Sequence, residues 1–192
     1  MTDPDLSCTI AGVRFPLCIM NASGALCVTR EELEALGRSG AGAIVTKSMT
    51  VEFRKGNPEP RYYPFSGGSI NSMGLPNLGY QTYAELIPAL KAFKKPVIAS
   101  IAGLCEEDFP EIARAISKAG PDLIEVNLSC PNIPGKPQIG YDFDASERLI
   151  RKVRAVVDRP MGVKLPPYFD PAHHAAMADV LKRAPVDFLS LI

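Results

Sequence analysis

Short apolar runs alternate along the chain with stretches in which apolar positions recur at helical spacing. Residues 15–24 (FPLCIMNASG), 41–48 (AGAIVTKS), 95–103 (KPVIASIAG), 122–130 (DLIEVNLSC), 160–167 (PMGVKLPP) and 186–192 (VDFLSLI) predict strands, most of them apolar on both faces. Between them, TREELEALGRSG places Thr29 three positions before Glu32, a capping box, with Gly37 and Gly40 as candidate stops. YAELIPALKAF predicts a helix despite Pro88. Phe109, Ile112, Ala113 and Ile116 fall on one helical face. Asp144 can cap a helix whose inner face is Leu149, Val153, Val156 and Val157, and PAHHAAMADVLKRA predicts a fifth helix. The stretch from Met49 to about Leu78, rich in Gly, Pro, Asn and Ser, predicts a functional loop holding a short hairpin or two.

A repeated strand–helix order implies a parallel sheet with helices outside it. An open doubly wound sheet and a (β/α)8 barrel both satisfy that order. No GxGxxG follows the first strand, which weighs against the dinucleotide-binding form of the open sheet. Polar residues instead recur where strands end: Asn21 and Ser23, Lys47 and Ser48, Asn127 and Cys130, Lys164. In a (β/α)8 TIM barrel those ends converge on one mouth. The expectation is therefore an α/β fold comprising the N-terminal portion of a single barrel domain over residues 1–192. It would hold about six strands and five helices, with the C-terminal β/α units absent, because a complete barrel takes about 250 residues.

Composition narrows the function. With 21 basic and 21 acidic residues the net charge is zero, giving no electrostatic case for nucleic acid or a membrane surface. No run of about 18 apolar residues predicts a membrane span, and MTDPDLSCTI lacks the basic start of a signal peptide. The five cysteines are scattered without a CxxC pair, so neither a metal site nor a disulfide framework is expected, and a reducing cytosol fits.

Candidate chemistry gathers at the strand ends. Lys47 and Lys164 each close an otherwise apolar strand, where lysine snorkels to solvent or lines a cationic pocket for an anion or an electron-rich ring. Asn71, Asn127 and Asn132 are turn residues, or carboxamides able to read the amide edge of a planar heterocycle. Cys130 is a small buried hydrophobe, or a thiolate base or nucleophile aided by a nearby lysine. His173 and His174 sit within a predicted helix and are expected at the surface, which leaves a thiol hydrolase with Cys130 as nucleophile short of a histidine.

Taken together, NASG at 21–24, TKS at 46–48, GNPEPR at 56–61, NSMGLPNLG at 71–79, NLSCPNIPGKPQ at 127–138 and GVKLPPY at 162–168 closely resemble dihydroorotate dehydrogenases. The resemblance is to the class 1A branch: soluble, cytoplasmic, homodimeric, FMN-dependent and fumarate-reducing. It implies oxidation of dihydroorotate to orotate in pyrimidine biosynthesis. Cys130 would take the C5 proton while the C6 hydride passes to the flavin. It implies flavin contacts from Ala22, Ser23, Lys47, Ser48, Asn127, Lys164 and Ile192. Substrate contacts would come from Lys47, Asn71, Ser72, Met73, Gly74, Leu75, Asn127 and Asn132, with no metal. Residues 129–140 would correspond to a lid loop. Three other readings stand beside it: a class 1B-type, NAD-linked enzyme, a dihydropyrimidine dehydrogenase-like domain, and a non-catalytic half barrel that needs its missing part.

Overall fold

The computed structural model describes residues 4–130 and 138–192. A hairpin of β1 (Cys8–Ile10) and β2 (Val13–Phe15) comes first, followed by α1 (Arg30–Arg38) and β3 (Ile44–Val45). A second hairpin, β4 (Tyr62–Phe65) and β5 (Gly68–Asn71), precedes α2 (Tyr80–Leu90) and β6 (Val97–Ile101). Then come α3 (Asp108–Ala119), β7 (Leu123–Asn127), α4 (Phe143–Arg154), β8 (Met161–Lys164), α5 (Pro171–Arg183) and β9 (Phe188–Ser190). One five-stranded sheet runs in the order β3-β6-β7-β8-β9, parallel throughout. Sequential parallel strands joined by helices are the construction of part of a (β/α)8 barrel.

The two faces of this sheet carry different cores. Ile44, Val97, Ala99, Ile101, Ile124, Val126, Met161 and Val163 pack outward against helix residues such as Leu33, Ile87, Ile116, Leu149 and Val180. Their alternates Val45, Ile98 and Leu123 point inward and meet Phe15, Ala43 and Phe188. The β1–β2 hairpin contributes Cys8, Ile10 and Val13 to that inner cluster and so closes its floor. Higher on the same inner face, the register sets Ser100 beside Glu125, Asn127 beside Lys164, and Lys164 beside Ser190. An apolar floor thus passes into a polar upper layer at the strand ends.

Several expectations change. Residues 15–24 do not form a sixth sheet strand: only Val13–Phe15 is extended, and it pairs with β1. Residues 17–21 still lie alongside β3, but by other bonds. Gly42 N donates to Ile19 O, and the Asn21 carboxamide bonds both the N–H and the C=O of Val45. A side chain there occupies the place of a backbone ladder. Gly37 lies inside α1, where a Cβ would stand 2.5 Å from the Phe93 ring; the helix is closed by Ser39, ahead of Gly40. Asp142, not Asp144, caps α4 through Ala145 N, and Val156 and Val157 follow the helix while still packing on the outer core. The long loop holds one hairpin, β4–β5, within the one or two expected. The capping box of Thr29 and Glu32, the buried α3 face and the helix through Pro88 are as expected.

The Gly42 contact is the tightest of these. A Cβ there would fall 1.8 Å from Leu17 O. Gly42→Ala should therefore push residues 17–21 off β3 and cost about 1–3 kcal/mol of stability, measured by urea denaturation; an unchanged midpoint would mean the segment is loosely held.

Candidate active site

A cleft of about 890 Å3 opens at the C-terminal ends of the parallel strands. Of the residues singled out from sequence, Ala22, Ser23, Lys47, Asn71, Met73, Gly74, Leu75, Asn127, Cys130, Lys164 and Ile192 line it. Ser48 lies directly beneath, and Ser72 faces elsewhere, accepting from Asn57 Nδ2 at 3.1 Å. Asn132 and most of residues 129–140 lie outside the described residues.

Each side chain is positioned by its element. Lys47 lies two residues past β3, where its ammonium donates to Gly24 O at 2.8 Å and its backbone N–H to Cys27 O at 3.0 Å. It is only 7% exposed. Burial holds its pKa below the ordinary lysine range, with Lys164 adding to that effect and the Cys27 and Cys130 sulfurs opposing it. Among the described residues no carboxylate forms an ion pair with Lys47 or Lys164. A desolvated ammonium beside a second cation is a site for an anion or an electron-rich group.

Asn127 ends β7. Its Oδ1 accepts from Ser129 N at 2.9 Å and Ser129 Oγ at 2.8 Å, while Nδ2 donates to Ser48 Oγ at 2.9 Å. This turn carries the chain from strand to Cys130, whose half-buried thiol lines the cleft. Lys47 interacts electrostatically with Cys130. Across the cleft, residues 73–75 come from the segment after β5. Gly74 (φ 72°) and Leu75 (φ 58°) both adopt left-handed backbone. The fully buried Asn77 holds them there: its Nδ2 donates to Leu75 O, and its Oδ1 accepts from Thr50 N and Gly79 N.

Sequence reasoning missed some of this. Gly24, Ala25, Tyr141, Pro167 and Phe169 also line the cleft, as do Ser129 and Gln138 from the segment expected to form a lid. Ser100 and Glu125, buried beneath it, were also passed over; their one sequence signal is polarity inside otherwise apolar strands. His174 is exposed as expected, whereas His173 sits among the rings of Tyr141, Phe143 and Tyr168, with centroids 5.6–6.2 Å away. Neither histidine lines the cleft.

The chain can be set against known proteins. The sequence model of the dihydroorotate dehydrogenase family matches residues 5–191. A putative dihydroorotate dehydrogenase A (fumarate) of Streptococcus uberis is 46% identical over 186 residues, covering 95% of this chain and 60% of the relative. The dihydroorotate dehydrogenase A (fumarate) of Lactococcus lactis subsp. lactis is 45% identical over 191 residues, covering 97% and 61%. The chain thus spans about 60% of the length of these relatives.

The buried Lys47 gives a thermodynamic signature. Its native pKa lies below that of the unfolded chain, so at neutral pH the cost of burying the charge is fully present. As pH climbs toward the ordinary lysine value, about 10.4, the native state sheds the proton first and stability rises. Lys47→Met should raise the neutral-pH unfolding free energy of the ligand-free protein by on the order of 1 kcal/mol. It should also flatten the alkaline rise in a pH series of denaturation curves; a destabilised variant would mean Lys47 is structurally paired.

Proposed function

The chain belongs to the dihydroorotate dehydrogenase family, and from that membership we propose that its cleft oxidises dihydroorotate to orotate with FMN as the redox group. The observation that carries this reading is the convergence of Lys47, Asn127, Cys130 and Lys164 on one mouth, with two lysine ammonium groups and, among the described lining residues, no acidic side chain. Such a lining suits a flat, electron-rich ring system and a substrate bearing a carboxylate and ring carbonyls.

The residues divide the work. Ala22, Ser23, Lys47, Asn127, Lys164 and Ile192 would hold the flavin, with Ser48 supporting them from below. When bound, FMN supplies a two-electron acceptor for the hydride leaving substrate C6. Lys164, a half-buried cation at the end of β8, would stabilise negative charge that accumulates on a reduced ring. The Lys47 ammonium, tied to the backbone at Gly24, would neutralise the substrate carboxylate. Asn71, with the backbone of Met73, Gly74 and Leu75, would contact the pyrimidine ring, and Asn132 would join them. Cys130, as thiolate, would remove the proton from C5. Loss of that proton and of the C6 hydride leaves the C5–C6 double bond of orotate.

The Lactococcus lactis relative is named for fumarate, and fumarate is the oxidant proposed here. Among the described residues no helix is long and apolar enough to cross a membrane. The cytosolic, homodimeric setting implied by the resemblance is part of the same proposal.

Anaerobic mixing of the full-length protein with dihydroorotate tests the reading. The wild type should be yellow and bleach. Cys130→Ala should stay yellow but bleach about 100- to 10,000-fold more slowly. A colourless wild type would remove the flavin assignment, and wild-type rates in Cys130→Ala would remove the base.

A further inference from the structure

Beneath the cleft, buried polar side chains form a continuous hydrogen-bonded chain whose proton order is set at one end. Glu125 is 6% exposed and lies on the inner face of β7. Its Oε1 accepts from Ser100 Oγ at 2.9 Å, and its Oε2 accepts from Ser190 Oγ at 2.6 Å. Both contacts run from a serine hydroxyl to Glu125, so each serine commits its single O–H there. Ser100 Oγ also lies 2.9 Å from Ser48 Oγ, and with Ser100's proton spent, Ser48 must donate there. Ser48 Oγ lies 2.9 Å from Ser23 Oγ, and by the same count Ser23 must donate to Ser48. Ser48 then accepts from Ser23 and from Asn127 Nδ2, which fills both of its lone pairs.

The consequence reaches the cleft. Ser23 already accepts from Ser48 N at 2.7 Å and has given its proton away, so what it has left to offer is a lone pair. Asn127 is fixed separately, because Ser129 N must meet an oxygen; this turns Oδ1 inward and leaves one N–H of Nδ2 uncommitted. We propose that Glu125 is a positioning residue for this site: through Ser100 and Ser48 it fixes Ser23 as an acceptor. The ligand edge that suits Ser23 therefore carries an N–H, and the edge that suits Asn127 carries a carbonyl or ring nitrogen. An imide-type heterocycle has both. The inference deepens the proposed function by assigning hydrogen-bond polarity within the same cleft.

Two measurements test it. Neutron diffraction from D2O-exchanged crystals of the full-length wild type should show the Ser23 deuteron on the line to Ser48 Oγ. The Ser48 deuteron should point to Ser100 Oγ, and that of Ser100 to Glu125. A deuteron on Glu125, or one running from Ser48 to Ser23, overturns the assignment whether or not the protein binds flavin. The second readout is the FMN dissociation constant, followed by flavin fluorescence. Glu125→Leu and Ser100→Ala each release the order, turn the Ser23 proton toward the ligand, and should weaken FMN about 10-fold. Glu125→Gln keeps a carbonyl for Ser100 and should retain most of the affinity. In a Ser23→Ala background the Glu125→Leu effect should largely vanish. If Glu125→Leu does not fold, Ser100→Ala carries the comparison. Wild-type affinity in the folded variants, or equal loss in Glu125→Gln and Glu125→Leu, refutes the proposal. A wild type that binds no FMN counts against the functional reading, while the deuteron positions still decide this one.

Discussion

The parallel register of β7 is the constraint on which the site depends. Side chains alternate between faces with a period of two, so a slip of one residue would send Glu125 and Asn127 into the helix layer and bring Ile124 and Val126 to the mouth. Nothing in the cleft would survive that exchange. The register is held from the outer side, where Ile124 and Val126 are fully buried among α3 and α4 side chains. It is held from below by Leu123 against Phe15 and Phe188. Apolar packing on one face and at one end thus places polar atoms on the other face at the other end. The site is as exact as the core behind it.

That arrangement concentrates unfavourable terms where ligands would bind. Lys47 surrenders solvation for one backbone carbonyl. Leu75 keeps a left-handed backbone, a conformation that costs a side-chain-bearing residue about 1–2 kcal/mol, and it does so with its side chain buried. Asn77 offsets part of that strain by filling the carboxamide with four partners in the surrounding loop. The hydroxyl chain from Ser23 to Glu125 leaves no buried oxygen unmatched along its length. Buried polar groups of this kind are tolerated only when every member is satisfied. The cleft is therefore preorganised before anything enters it, and a ligand need not reorder its floor.

How much of this was legible in the sequence depended on which force set the feature. Packing-driven features were readable: α3's face, the five strands of the parallel sheet, and Thr29's capping box all follow from apolar patterning or a local bond. Features set by tertiary contact were not. Gly37 looks like a stop because glycine commonly ends helices, yet it serves the close approach of Phe93. Residues 17–21 have a strand's composition but are tied to β3 by the Asn21 side chain. The strand-end polar residues pointed to the cleft because a barrel gathers its ends. Ser100 and Glu125 were passed over because a lone polar residue in a strand carries no spacing signal; only the register shows that two such residues share one face.

The position of Cys130 follows from the same logic. A base, the role proposed for Cys130, must meet its proton to within a few tenths of an ångström, and groups on rigid elements achieve this better than groups on loops. Cys130 lies three residues beyond β7, where the ladder has ended. The turn at Ser129 makes up the difference. Ser129 is buried, and both its N–H and its hydroxyl close on Asn127 Oδ1. Asn127 is itself anchored through Ser48 to the neighbouring strands. The backbone leading to the sulfur is thus tied to the sheet through a side-chain relay. The asparagine proposed to contact ring and substrate also holds Ser129, the residue before the proposed base, so the proposed acid–base and ligand groups share one anchor.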